Sequence, residues 1–160
     1  MVYSTKMRVL SEAQLLLVMG TLLLGVSCGE HPESTYQSIA AAQASGAIER
    51  GWIPASLPAS TARIREKHDI DTNEAWGMFE FHPDDRPASD TLVLASGPAL
   101  SELKIRSADV EWWPTALTGA LSQQKLENFE FYVVETPHRF WVALDRKQRR
   151  GFFWNASAIE

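Results

Sequence analysis

Apolar and polar side chains alternate most clearly in the last third of the chain. Phe129, Phe131 and Val133 alternate with Glu130, Tyr132 and Val134; Phe140, Val142 and Leu144 alternate with Trp141, Ala143 and Asp145; Phe152 and Trp154 flank Phe153. The strings Glu135-Thr136-Pro137-His138 and Asp145-Arg146-Lys147-Gln148 between them have turn composition, so the pattern predicts three consecutive antiparallel strands, a meander. A second extended run begins at Thr61, with Ile64, His68 and Ile70 on one side and Arg63, Arg65, Lys67 and Asp69 on the other. Asp71-Thr72-Asn73 supplies a turn, and Trp76, Met78, Phe79 and Phe81 read as the return strand of a hairpin.

Upstream the period lengthens. Tyr36, Ile39, Ala40, Gln43 and Ala47 fall at helical spacing, Ser34 and Gln37 have the form of a capping box, and Gly46 is a stop. This predicts a helix over 35–46. Prolines and a glycine make Arg50 to Pro58 a loop, from which Trp52, Ile53 and Leu57 plug the core. Pro83 to Pro87 is a further loop, and Leu92-Val93-Leu94 is an apolar run of either type. Pro98 to Leu103 begins a short helix, Val110 to Trp113 is extended, and residues 115–128 form a turn or short helix. The predicted class is α+β: an antiparallel sheet, made of the C-terminal meander and the earlier hairpin, packed with one main N-terminal helix.

The first 27 residues read differently. Lys6 and Arg8 precede an uncharged run from Leu15 to Gly25, about 11 residues. As a helix it spans roughly 16 Å, half a hydrocarbon core, which suits a signal peptide better than a membrane span. The string Gly25-Val26-Ser27-Cys28 resembles the lipobox of bacterial lipoproteins, although Gly25 stands where that family prefers Leu. The resemblance implies cleavage before Cys28 and acylation of its sulfur. It divides the chain into a leader (1–27), a lipidated cysteine with a short tether (28–34) and one globular domain (35–160). The expected location is the cell membrane or outer membrane, lipid-anchored, facing the periplasm or the exterior. In a Gram-negative cell, Gly29 after the cysteine resembles the outer-membrane sorting pattern.

Charge narrows the partners. The net charge is −5, and removing Lys6, Arg8 and Glu12 with the leader makes it −6. An acidic domain lacks the excess Lys and Arg that displaces counterions from a polyphosphate, which argues against a nucleic-acid partner. Cys28 is the single cysteine, so neither an intrachain disulfide nor a thiolate zinc cluster is open to the chain.

The string Arg50-Gly51-Trp52-Ile53-Pro54, followed by Leu57-Pro58, Ile64 and His68-Asp69-Ile70-Asp71-Thr72-Asn73, resembles the head domain of YbbD-like proteins. That is a small domain of uncharacterised bacterial lipoproteins. Trp112-Trp113-Pro114 and Phe152-Phe153-Trp154 fit the same kind of protein, so the resemblance covers most of the mature chain. It implies location and fold, and no activity.

Candidate chemistry is sparse, and no nucleophile motif or phosphate-cradling glycine loop occurs. His68, Asp69 and Asp71 are the sharpest cluster: His68 and Asp71 as metal ligands, or His68 as a base oriented by an acid. Neighbours on a strand face opposite ways, so the cluster needs a bend at Asp71. A histidine satisfied near a strand end is the structural alternative. His82 with Asp84 and Asp85, and Glu135 with His138, are looser versions. Six tryptophans serve as core or contact surface; adjacent Trp112 and Trp113 point opposite ways on a strand, which exposes one of them. Arg146 and Lys147 open a basic turn that suits anionic head groups or solvent. The expectation is no catalytic residue, no cofactor, and a membrane-anchored binding or accessory module with an unknown envelope protein or ligand as partner. The alternative is an anchored hydrolase using His68, Asp69 and Asp71.

Overall fold

A computed structural model describes residues 33–85, 92–95, 100, 103–122, 124, 127–134 and 138–159. All of them belong to the unit His31–Glu160. The leader, Cys28 and the tether up to residue 32 lie outside the described residues, as do Glu135 and most of the helix predicted from Pro98 to Leu103.

The described chain is mainly strand. In order run β1 (Glu33–Ser38), helix α1 (Ile39–Ala44), β2 (Ala62–Asp69), β3 (Glu74–Glu80), β4 (Leu92–Ala95), β5 (Lys104–Ile105), β6 (Gly119–Ala120), β7 (Glu130–Val134), β8 (Phe140–Asp145) and β9 (Arg150–Asn155). Seven strands form one sheet in the order β1-β2-β3-β9-β8-β7-β4, every neighbouring pair antiparallel. The remaining two, β5 and β6, make a small separate sheet. The hairpin β2–β3 and the meander β7–β8–β9 stand where the alternation put them.

The α+β class does not hold. The helix predicted over 35–46 is replaced, up to Ser38, by edge strand β1, with Tyr36 opposite Ile64 of β2. Only the six residues of α1, immediately after it, are helical. Along β1 exposed Glu33, Thr35 and Gln37 alternate with half-buried Ser34, Tyr36 and Ser38, a period of two that the helical pattern hid. Ser38, not Ser34, is the cap; its hydroxyl accepts from the Ala41 N–H at 3.2 Å. The fold is a predominantly antiparallel β domain. Val110 to Trp113 also departs from expectation, forming a turn rather than a strand.

Both faces of the sheet are covered. On one, Ile64, Ala75, Phe79, Val134, Phe140, Val142, Leu144 and Phe153 meet Ala42 of α1 and the loop residues Ala47, Ile53 and Leu57. On the other, Trp76, Phe131, Trp141, Phe152 and Trp154 meet Leu103, Ile105, Trp113, Leu117 and Leu121. Trp113 stands edge-on to both Phe152 and Trp154, with ring centroids 6.0 and 6.1 Å away. The first layer has no room for side chains at two places. Gly77 pairs with Phe153 and Gly151 pairs with Phe79. A Cβ on Gly77 would sit 1.9 Å from Phe153 Cζ, and one on Gly151 would sit 2.0 Å from Phe79 Cζ. Each ring therefore lies across the bare backbone of the partner strand.

Register also fixes which loops share an end of the sheet. Glu33 pairs with Lys67, Asp69 with Glu74, Trp76 with Trp154 and Phe140 with Asn155, all at the end where β1 enters. Ala62 pairs with Glu80, Glu80 with Arg150 and Arg150 with Asp145 at the far end.

Candidate functional site

Strand β2 buries one side of its alternation: Ile64, Glu66 and His68 turn inward. Glu66 is the surprise, a carboxyl group with 0% exposure between two residues expected there. Its Oε1 lies 2.7 Å from Nδ1 of His68, itself 4% exposed. Trp52, from the loop after α1, closes the pair: its ring stacks on the imidazole with centroids 3.6 Å apart and planes 11° from parallel. Arg50 lies over the other part of the stack, 4.1 Å from the Trp52 ring, while its guanidinium donates to the Ser45 carbonyl at 3.0 Å. Between them Gly51 takes a left-handed φ of +74°, and a Cβ there would meet His138 at 2.6 Å. The Arg50-Gly51-Trp52 string thus has a local reason at each position: a cation on a ring, a passage for a histidine, and a lid on His68.

Burial sets the protonation of this cluster. It pushes the Glu66 carboxyl up to about 8, with the Arg50 charge pulling the other way. Burial, then the Arg50 charge, depress His68, and Asp69 opposes them. Near neutral pH a protonated acid and a neutral imidazole share one hydrogen bond, and Glu66 Oε2 has no partner. With Trp52 across the ring, a reactant reaches the imidazole only if that indole moves aside.

His68, Asp69 and Asp71 do not converge. Asp69 faces away from His68 and accepts from the backbone N–H of Asp71 at 2.8 Å and of Thr72 at 3.2 Å, holding the turn. Asp71 is exposed at the turn itself. Among the described residues no group of three or more His, Cys, Asp or Glu is arranged to hold a metal ion. His82 and Asp84 are exposed and 3.8 Å apart, in a loop tied down by Ser60, whose hydroxyl accepts from the His82 N–H at 2.8 Å. His138 is exposed beside Gly51.

The tryptophan pair divides as adjacent residues must. Trp113 is buried and donates to the Leu117 carbonyl at 3.3 Å. Trp112 is half-buried at the edge and donates to Glu33 at 3.0 Å, where Arg65 also meets Glu33 at 3.1 Å. Arg146 and Lys147 part company too. The Arg146 guanidinium donates to Glu130 at 2.7 Å and to the carbonyls of Pro83 and Asp85, whereas Lys147 is exposed. Their turn lies at the far end of the sheet, away from the entry of β1. Both border an open groove of about 610 Å³, whose lining also includes Phe129, Phe152, Glu127, Glu130 and Asp145.

Sequence reasoning missed Glu66, Arg50 and Trp52 as a unit. The signal was there for Glu66, two residues before His68 and two after Ile64 on a strand of period two. Nothing local tells that Trp52 crosses to His68.

Among the described residues no helix is long and apolar enough to cross a membrane. No curated protein and no solved structure matches the chain. The YbbD head domain family matches residues 30–80, about a third of the chain. That segment holds β1, α1, the Arg50-Gly51-Trp52 string, Glu66, His68 and all of the β2–β3 hairpin, while Trp112-Trp113-Pro114 and Phe152-Phe153-Trp154 lie outside it. Residues 30–80 are thus similar to a YbbD head domain.

Proposed function

We propose that the chain is a lipid-anchored protein of a bacterial cell envelope whose globular domain is a non-enzymatic binding or accessory module. The signal-peptide pattern ending at Cys28 and the similarity to a YbbD head domain support the location. One observation carries the binding role. The sharpest acid–base pair, Glu66 and His68, is shut inside under Trp52, while the open 610 Å³ groove has half-buried Phe129 beside the Arg146–Glu130 ion pair. A concavity of that size with a few placed polar groups suits a ligand or a peptide segment of a partner. The groove lies at the far end of the sheet from Glu33.

Two measurements test the reading. Cys28→Ala moves the protein from the detergent-requiring membrane fraction to the soluble one; unchanged fractionation, or an unmodified thiol in the mature wild-type product, removes the anchor. A photo-reactive residue at Lys147, bordering the groove, captures an envelope partner that the same residue at exposed Gln37 does not. Equal capture at both positions removes the groove as the contact.

A further inference from the structure

Glu66 sits where a protonated acid is tolerated and a carboxylate is not. Its backbone is gripped on both sides, by Ser34 of β1 and Gly77 of β3, so β2 cannot carry the side chain out to water without breaking the sheet. Oε1 is taken by His68 at 2.7 Å, and Oε2 has no hydrogen-bond partner. An ionised group left with a bare buried oxygen is costly. Few charges come near to offset it among the described residues. Arg65, Lys67 and Asp69 of β2 itself are committed on the other side of the strand. Ser34 and Gly77 carry no charge, and Tyr36 lies two residues along β1 from Ser34. The loop after α1 contributes exposed Glu49 and Arg50, and Arg50 makes no ion pair with Glu66. His138 stands against Gly51, and Arg139 shares a hollow with Arg50 and His138.

The cover over the pair is built differently from the sheet beneath it. From Gly46 to Pro58 the backbone hydrogen bonds among the described residues are local. The N–H of Ala47 donates to Ala42 at 3.1 Å, and those of Arg50, Gly51 and Trp52 donate to Gly46, Ile48 and Ala47, each at 3.0 Å. None joins this loop to a strand. Apolar packing by Ala47, Ile53 and Leu57 holds it down, together with the stack of Trp52 on His68 at 3.6 Å. Two glycines of left-handed φ, Gly46 at +78° and Gly51 at +74°, bracket the turn that carries Arg50. A segment tied internally, and to the sheet only by side chains, opens at less cost than the sheet does.

We propose that loop 46–58 is a lid latched by a proton: protonated Glu66 keeps Trp52 closed on His68, and loss of that proton swings the loop away, admitting water to the carboxylate and baring Ile53 while the sheet stays whole. Burial raises the closed-lid carboxyl group to about 8, with the Arg50 charge pulling the other way, and in water it returns toward 4.5. Between those values the open form therefore gains on the closed one as pH rises. His68 is depressed by burial and then by Arg50, with Asp69 opposing, so it counters the trend only below 6.5. From pH 6.5 to 8 the open-to-closed ratio rises roughly thirtyfold, and above 8 it levels off.

Thiol labelling reads that ratio. In the full chain with Cys28→Ala, single cysteines are placed at buried Ile53, at Val142 in the central strand β8 and at exposed Gln37, and their labelling is followed at pH 6.5, 8 and 9. Each rate is divided by that of Gln37→Cys at the same pH. Ile53→Cys becomes about thirtyfold more reactive from pH 6.5 to 8, changes little to pH 9, and at every pH exceeds Val142→Cys. Adding Glu66→Gln, which has no proton to lose, makes the Ile53→Cys profile flat. Equal relative rates at positions 53 and 142 overturn the lid, because the pair then meets water only through unfolding of the whole domain. An unchanged ratio from pH 6.5 to 8, or the same rise with Glu66→Gln, overturns the proton as the latch. Should Glu66→Gln fail to fold, the pH profile of Ile53→Cys decides by itself.

Discussion

Replacing Glu66 by Gln changes one proton and almost no volume, and the structure dictates the resulting pH profile of stability. In the unfolded chain Glu66 titrates near 4.5, and in the folded domain near 8. Between those values the folded state holds a proton that the unfolded state has released. The Glu66 contribution is therefore complete below 4.5 and declines as pH rises to 8. His68 runs the other way: its folded value is depressed below 6.5, so its contribution is complete above 6.5 and declines as pH falls. Where the two windows overlap, below 6.5, the slopes cancel. From 6.5 to 8 only Glu66 acts, and at ~1.36 kcal/mol for each pH unit the wild type loses about 2 kcal/mol. Glu66→Gln has no proton to lose and keeps a polar partner for His68, so its profile is flat across that interval. Urea unfolding monitored by tryptophan fluorescence at pH 6.5, 7.2, 8 and 9 measures this as a fall of roughly 1 M in the wild-type midpoint that the variant lacks. Parallel profiles for the two proteins would refute the buried, protonated carboxyl group.

Two further substitutions test the packing. Gly77→Ala places a methyl group inside the Phe153 ring and costs about 3 kcal/mol, and in the Phe153→Leu background it costs at least ~1 kcal/mol less; additive costs in that double-mutant cycle would dismiss the contact. Trp113→Ala empties a buried site edge-on to two aromatic rings and loses about 3–5 kcal/mol, while Trp112→Ala loses about 1 kcal/mol with its bond to Glu33. Thermal or urea denaturation giving the two variants equal stability would reverse that division.

How much the residues reveal depends on how local each signal is. The meander and the β2–β3 hairpin are legible because Phe131, Val133, Val142 and Phe152 repeat at the period of the pleat and Asp71-Thr72-Asn73 marks its turn. Asn73 takes a left-handed φ of 57°, which that residue type tolerates. The N-terminal segment misleads because Tyr36, Ile39 and Ala40 satisfy a helical spacing while Ser34, Tyr36 and Ser38 satisfy a strand. Pairing with β2, about 30 residues away, decides between them. The site is less legible still. His68 stands out by type, yet its partner Glu66 reads as one more surface charge, and its lid Trp52 reads as core. His138 reaches Gly51 only through the fold, across nearly 90 residues of sequence.

The rings laid across Gly77 and Gly151 bear on what residues 30–80 are by themselves. That stretch ends at Glu80, the last residue of β3, and the strand that completes β3 arrives 70 residues later. Cut free, the three-stranded piece would show an unzippered row of amides and a bare glycine gap, with Phe79 deprived of the backbone it leans on. The segment shared with YbbD heads is in this chain half of a clasp, and its autonomy is borrowed from the last strand.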